Sequence, residues 1–179
     1  MDTNPKPQMA HSTDDASVDA MRLRLAMNQA RDNQNPVMAI AGGIFAAVIG
    51  ASLWAAISYF SDHQIGWMAV GVGFLVGWTV RTLGHGVDIS FGVIGAALSL
   101  FGCALGNVLA ICAIIAKQES LRFSEVFSRL DPSISLNLLR ETFSPIDVIF
   151  YGLALYYGFK YSRVKVEPLK AASGPAPAL

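Results

Sequence analysis

Three polar residues in the middle of the chain, Arg81, His85 and Asp88, have side chains that could act together chemically. Gly84 and Gly86 lie between them, and glycine allows a backbone to turn sharply or to approach a ligand closely. A cation, a titratable imidazole and a carboxylate could bind an anionic headgroup or relay protons. The structural alternative is an arginine that extends toward water, a histidine in a turn and an aspartate that caps a helix. We take these residues as the first candidate site and favour the structural alternative.

The second candidate is Asn107, the one strongly polar side chain deep inside a long apolar run. Helical spacing places it on one face with Ser99 and Cys103. Because a buried amide must be hydrogen-bonded, it faces either another helix or water. It could therefore line a path for a solute, or it could form a bond between helices that fixes their register. We favour the bond.

Residue types that bind metals or perform catalysis are present but badly spaced. His11, His63 and His85 lack the spacing of metal ligands. Cys103 and Cys112 are nine residues apart and lie on nearly opposite faces of a helix, so they can neither form a disulfide nor share a metal. General acid–base catalysis needs converging titratable groups, and the long apolar runs contain none. The sequence therefore predicts no catalytic, cofactor-binding or metal-binding residues, and we expect that the protein is not an enzyme.

Long apolar segments are the elements that must position these side chains. Val37–Phe60 and Ile89–Ala116 contain no Asp, Glu, Lys or Arg. Because a helix rises about 1.5 Å per residue, roughly 20 apolar residues cross the ~30 Å hydrocarbon core of a bilayer. Hydrophobic residues make up 53% of the sequence and charged residues 15%, a balance typical of a membrane protein. No basic patch with interleaved aromatic residues indicates a nucleic-acid partner.

The pattern predicts an all-α membrane domain at residues 36–163 with four transmembrane helices. Asn35 before a proline is a favourable helix start, and Asp88 is placed to cap the third helix. Ser144-Pro145 resembles the start of a fourth helix, which ends in aromatic residues and a basic cluster, as at a cytoplasmic face. A half-inserted hairpin is the alternative for this fourth segment. The expected helices are residues 36–60, 65–83, 89–116 and 145–161.

The loop at residues 119–143 carries an amphipathic pattern. Asp131-Pro132 interrupts the pattern and starts it again, because Asp caps a helix and Pro suits its first position. We therefore expect two interfacial helices between the third and fourth spans. The first apolar stripe consists of Phe123, Val126, Phe127 and Leu130, and the second of Leu136, Leu139 and Phe143.

Small residues recur at every fourth position in the first three helices. In lipid, such faces allow backbones to approach closely, so they predict contacts between helices. Packing within one chain is favoured over packing between copies. The stripes are Gly42, Ala46 and Gly50; Ala69, Gly73 and Gly77; Gly102, Gly106 and Ala110; and Gly95, Ser99, Cys103 and Asn107.

The two ends of the chain are polar. Residues 1–35 are expected to form a largely disordered tail with a short helix at 16–33, and residues 164–179 a second disordered tail. With both termini in the cytoplasm, eight Lys or Arg residues near the helix ends lie inside and four lie outside. This excess of cations inside favours that orientation.

Two stretches of the sequence carry a resemblance to known proteins. They are IGWMAVGVGFLVGWTVRTLGHG with the following FGVIGAALSLFGCALGNVLA, and SPIDVIFYGLALYYGFKYS. Both resemble a family of uncharacterised small multi-pass bacterial inner-membrane proteins. The resemblance implies a bacterial inner membrane and brings no known activity. Some members carry a zinc-ribbon-like segment before the spans, but this chain has no paired cysteines there, so that metal is not carried over.

The leading functional expectation is structural. A small membrane protein with dense helix contacts and an amphipathic loop would act as a scaffold or accessory subunit. Its partners would be the lipid bilayer and either another membrane protein or a second copy of the chain. The alternative is an oligomeric channel or transporter for a small solute or ion that uses Asn107 and the Arg81–Asp88 segment.

Overall fold

The computed structural model describes residues 8–63, 65–128, 131, 133, 137, 140 and 145–164, with side chains described from Ser17 onward. This part of the chain is helical and contains no strand, which confirms the all-α class. Of the two predicted disordered tails, residues 1–7 and 165–179 lie outside the described residues. The helices are α1 (Gln8–Asp32), α2 (Pro36–Ser61), α3 (Trp67–Gly84), α4 (Ile89–Gln118), α5 (Phe123–Ser128) and α6 (Pro145–Tyr161).

Helices α2, α3 and α4 are each long and apolar enough to cross a membrane. Their bounds agree with the three uncharged or nearly uncharged segments of the sequence to within two residues at either end. The start of α2 is capped as predicted, because the Asn35 side chain accepts a hydrogen bond from the Met38 N–H at 3.0 Å. The bounds of α6 coincide with the predicted fourth helix, and Ser144 lies outside the described residues.

The structure differs from the prediction at two helix starts. Helix α1 begins at Gln8 and so includes residues 8–15, which were expected to be disordered. The reason is that residues 8–32 contain neither proline nor glycine, and the helix starts directly after Pro7. Asp88 occupies the position before α4, but its side chain makes no capping bond there. Its carboxylate instead bonds to the segment that joins α1 to α2.

The four long bundle helices are arranged around a central pair. Helices α3 and α4 contact each other, and each also contacts α2 on one side and α6 on the other. Helix α2 is parallel to α4, because Ala47 and Ala51 lie beside Gly102 and Gly106. Helix α6 is parallel to α3 and fills the opposite groove.

Residue size is distributed in this bundle as expected for contact with lipid. Small residues such as Ala39, Ala47 and Ala154 are fully buried between the helices. Many large apolar side chains point outward instead, and Phe60 is 81% exposed, although Trp54 and Phe91 are buried. Small residues let helix backbones approach closely, while large side chains on the outside suit an apolar solvent.

The four predicted packing glycines all lie at helix contacts. A Cβ atom placed on Gly73 would lie 2.5 Å from the backbone oxygen of Ala154 in α6, and one on Gly77 would lie 3.0 Å from that of Tyr157. On α4, a Cβ atom on Gly102 would lie 3.3 Å from the Ala47 Cα, and one on Gly106 would lie 2.7 Å from the Trp54 ring. A larger residue at any of these positions would therefore force two helices apart.

Candidate functional site

The bundle has two ends, which we name after one residue in each. The His85 end contains the starts of α2 and α4 and the ends of α3 and α6. The Asp62 end contains the opposite termini of the same helices. Arg81, His85 and Asp88, the first candidate site, lie at the His85 end.

Asp88 connects two corners of the fold at this end. Its carboxylate accepts hydrogen bonds from the Arg31 Nε atom and from the Gln34 amide, both at 3.1 Å. The prediction that Asp88 caps α4 is therefore wrong, because its carboxylate bonds instead to Arg31. Arg31 is remote in the chain, and only the folded bundle brings it close. In the described part of the chain, no ion pair joins Asp88 to Arg81 or to His85. Both of those side chains are exposed.

The glycines in this turn serve packing. His85, and neither Gly84 nor Gly86, has a left-handed backbone conformation, with φ 49°. A Cβ atom on Gly84 would lie 2.6 Å from the Cβ of Ala39, and one on Gly86 would overlap the Phe91 ring. Close approach is therefore what requires glycine here, and the neighbour is the protein itself.

Backbone hydrogen bonds attach the turn to the bundle on two sides. The Asn35 N–H donates to the Gly84 carbonyl at 2.9 Å, which joins the start of α2 to the end of α3. The Val164 N–H donates to the Gly86 carbonyl at 2.8 Å, which joins the chain after α6 to the same turn. Backbone hydrogen bonds thus join three segments at the His85 end: the start of α2, the turn between α3 and α4, and the chain after α6.

Asn107, the second candidate, lies in the contact between α4 and α6. It is 1% exposed, and its Nδ2 atom donates a hydrogen bond to the Tyr151 hydroxyl at 3.2 Å. The Tyr151 hydroxyl in turn donates to the Cys103 carbonyl at 3.5 Å. In this structure the amide therefore forms a bond between helices.

Further polar side chains continue this line, which we call the polar seam: Ser99, Cys103, Asn107, Tyr151 and Ser162. Ser99 donates to the Gly95 carbonyl at 2.7 Å, Cys103 to the Ala69 carbonyl at 3.6 Å, and Ser162 to the Gly158 carbonyl. Each member thus has a hydrogen-bond partner, as burial in an apolar environment requires.

Tyr151 and Ser162 are seam residues that the sequence interpretation missed. The signal that could have found them is the spacing of Tyr151, Ala154, Gly158 and Ser162, which places them on one face of α6. Small residues mark that face as a contact surface, in the same way as the stripes recognised in α2, α3 and α4.

Three buried polar atoms have no hydrogen-bond partner among the described residues: the Nε1 atom of Trp54, the Oγ atom of Ser58 and the Nε atom of Arg163. Trp54 and Ser58 are one turn apart on α2. Sequence analysis selected neither, because a tryptophan and a serine in an apolar helix are ordinary. Such groups are few in native structures, so this part of α2 is less well satisfied than the seam.

At the Asp62 end, the Lys117 side chain links the end of α4 to the end of α2. The Lys117 Nζ atom at the end of α4 lies 2.7 Å from the Asp62 carboxylate and donates to the Tyr59 carbonyl at 2.9 Å. Of the predicted loop stripe, Phe123, Val126 and Phe127 fall in α5, and the rings of Phe123 and Phe127 stack with centroids 6.0 Å apart. Leu130 and the second stripe lie outside the described residues.

These geometries define a helical bundle with three helices able to span a membrane. Within the described residues, no group of three His, Cys, Asp or Glu side chains could hold a metal ion. No known protein family matches the chain, and no curated protein or solved structure matches it either. The resemblance to a bacterial inner-membrane family therefore stays a prediction.

Proposed function

We propose that the protein is a four-span bacterial inner-membrane protein, with both termini in the cytoplasm, that acts as a scaffold or accessory subunit for a membrane-protein partner. The proposal combines three steps: the fourth span, the orientation and the partner surface. Each step rests on a different group of contacts.

The argument for a fourth span is that α6 matches α3. The two helices have 17 and 18 residues and are in contact along their lengths. The rings of Trp67 and Phe150 lie 5.4 Å apart near the Asp62 end, and those of Phe74 and Tyr161 lie 5.1 Å apart toward the His85 end. Because α6 runs beside α3 over the same depth, a bilayer that is crossed by α3 is crossed by α6.

Charge supports the orientation. The His85 end carries the cations Arg31, Arg81, Lys160 and Arg163, and the Asp88 carboxylate there is paired with Arg31. Near the ends of α4 and α5, the described residues of the Asp62 end carry fewer cations, Lys117 and Arg122. Cationic helix ends face the cytoplasm in inner-membrane proteins, which favours the His85 end inside.

The observation that carries the scaffold role is the contrast between a closed bundle and an unpacked α1. The polar seam is satisfied within the chain, and the glycine contacts leave the helices in close contact. Helix α1 contacts none of the other described helices. It nevertheless exposes Val18, Met21 and Leu25, and Met21 is 60% exposed. An apolar stripe on a helix next to a membrane suits a partner helix that packs on it.

The amphipathic loop is the second surface in this proposal. Phe123 and Phe127 of α5 are nearly half exposed, while Ser128 lies beside them on the polar side. We place this stripe against the outer membrane surface or the bundle, since burial of one large apolar side chain contributes roughly 1.5–3 kcal/mol.

Photo-crosslinking in native membranes tests the scaffold role. A photoreactive phenylalanine analogue at Leu25 is expected to give a discrete protein adduct, because Leu25 belongs to the exposed stripe. The matched control is Ala20, which is also exposed but lies on the opposite side of α1. Equal adducts at both positions, or none at either, would contradict the proposal.

A further inference from the structure

A crevice on the outside of α3 and α6 combines aromatic rings with cations near the His85 end. The Tyr161 ring occupies its centre, in edge contact with Phe74 at 5.1 Å and stacked on Tyr157 at 5.8 Å. The Lys160 Nζ atom lies 5.3 Å from the centre of the Tyr156 ring and 5.9 Å from that of the Tyr161 ring. We call this the α3–α6 crevice, lined by Phe74, Trp78, Arg81, Tyr157, Lys160 and Tyr161.

Helix register places Arg81 at the level of the last residues of α6. Gly73 packs on Ala154 and Gly77 on Gly158, so the two helices are parallel and advance together. One further turn brings Arg81 level with Ser162, next to Tyr161. Arg81 also shares a helical face with Phe74 and Trp78, at positions i, i+4 and i+7. Arg81 and Lys160 therefore lie near the same end of two neighbouring helices.

Among the described residues, no carboxylate forms an ion pair with either of these two cations. Helix α3 contains no acidic residue, and the one acid of α6, Asp147, lies at the other end of the bundle. Asp88 is at the same end but bonds to Arg31 and Gln34. Arg81 and Lys160 are both exposed, on the outer surface where a bilayer would meet its headgroups.

We propose that the α3–α6 crevice binds the headgroup of an anionic phospholipid. The lipid phosphate lies between Arg81 and Lys160, and one acyl chain runs along the exposed rings of Trp78 and Phe74. Two cations on neighbouring helices at the membrane surface attract an anionic lipid, and interfacial aromatic rings suit the region between headgroup and chain. This inference needs insertion into a membrane but does not depend on the scaffold role.

Tryptophan quenching by brominated lipid tests the crevice directly, because Trp78 lies in it and Trp67 lies at the other end of the bundle. The full chain with Trp67→Phe, which keeps Trp78 and the buried Trp54, is reconstituted in phosphatidylcholine vesicles. Increasing shares of brominated phosphatidylglycerol or brominated phosphatidylcholine are then added. We expect phosphatidylglycerol to be preferred about five-fold at Trp78, an effect of the size that one or two surface cations produce.

The controls separate the crevice from a general membrane effect. The preference should fall to about one in Arg81→Gln with Lys160→Gln, and it should survive in Arg81→Lys with Lys160→Arg. The Trp78→Phe chain, which reports from Trp67, should show no preference. Salt tests the electrostatic attraction in the chain that keeps both cations. Raising NaCl from about 50 to about 500 mM should weaken the preference for phosphatidylglycerol, because salt screens exposed charges.

Three results would overturn the inference. They are equal quenching by the two brominated lipids at Trp78, a preference that survives the double glutamine substitution, and a preference that is insensitive to salt. Inorganic phosphate is compared with chloride at equal ionic strength. If phosphate changed Trp78 fluorescence more than chloride did while the two brominated lipids quenched Trp78 equally, the crevice would bind a free anion and the lipid assignment would be wrong.

Discussion

The two ends of the bundle are held together by different groups. At the His85 end, the backbone N–H groups of Asn35 and Val164 bond to carbonyls of the turn between α3 and α4. At the Asp62 end, the described connection between α2 and α4 is made by the Lys117 side chain, which contacts Asp62 and the Tyr59 carbonyl. The His85 end thus has main-chain bonds in addition to the Arg31–Asp88 ion pair, whereas the described link at the Asp62 end depends on one lysine side chain.

The difference teaches where the fold is sensitive to side-chain chemistry. The main-chain bonds at the His85 end do not involve the side chains of Arg81 or Lys160, so substitution of these cations leaves those bonds in place. An ion pair at the Asp62 end depends on both side chains and is weakened by salt. Between the two ends, glycine contacts and the polar seam determine whether the helices assemble at all.

The largest expected effect is at the contact between α3 and α6 in the middle of the bundle. Gly73→Leu should lower the free energy of unfolding by about 3 kcal/mol or prevent folding, because the new side chain meets the Ala154 backbone. Gly71→Leu is the matched control, since Gly71 is on the same helix, is exposed and has nothing within 4 Å of a Cβ atom. Folded yield and unfolding in mild detergent measure both. Equal losses would show that α6 does not pack on Gly73.

A smaller effect is expected in the polar seam. Tyr151→Phe and Asn107→Leu should each destabilise the protein, and a double-mutant cycle should give a coupling of about 0.6–1.7 kcal/mol, as for hydrogen bonds between membrane helices. Phe101→Leu, on the exposed side of α4, is the control substitution. A coupling near zero would mean that the bond between Asn107 and Tyr151 does not hold α6 in place.

The comparison of the two ends is tested by removing one charge from each. Lys117→Met should cost up to about 1 kcal/mol, because it removes both the Asp62 pair and the bond to the Tyr59 carbonyl. Asp88→Asn should cost less, because main-chain bonds keep the His85 end connected. Salt should reduce the cost of Lys117→Met. If Asp88→Asn proved the more damaging change, the His85 end would depend on its ion pair and our comparison would be reversed.

The smallest effect is expected at His85. His85→Asn should change stability by no more than about 0.5 kcal/mol, since asparagine tolerates the left-handed conformation and the exposed imidazole is not needed for packing. His85→Val should be worse, because a β-branched residue is strained at positive φ. A large loss with His85→Asn alone would reveal a structural role for the imidazole, whereas a pH-dependent activity that vanishes in this variant would strengthen the transporter alternative.

Local signals explain what the sequence predicted well. The bounds of α2 and α4 follow from uncharged runs, and the start of α2 follows from Asn35 and its proline. The contact roles of Gly73 and Gly106 follow from their four-residue spacing. In each case the information lies within one helix, so a periodic pattern is sufficient to read it.

Contacts between remote segments explain what the sequence did not reveal. The bond from Arg31 to Asp88 joins residues that are far apart in the chain, so the pattern suggested a helix cap instead. Tyr151 resembled an interfacial aromatic residue, and only the packing of α6 shows its bond to Asn107. Arg81 was grouped with its chain neighbours His85 and Asp88, whereas the Asp88 carboxylate bonds to Arg31 and Gln34.

The measurement that tests the central claim most directly is the sidedness of three single cysteines toward a membrane-impermeant thiol reagent. The positions are Asn28 in α1, Ser128 in α5 and a cysteine added after Leu179, with the native Cys103 and Cys112 buried in the bundle. A four-span protein with its His85 end in the cytoplasm predicts that Ser128→Cys reacts in intact cells. The other two cysteines should react only after the membrane is permeabilised. Reaction of the cysteine after Leu179 in intact cells would contradict the account, because α6 would then not cross the membrane.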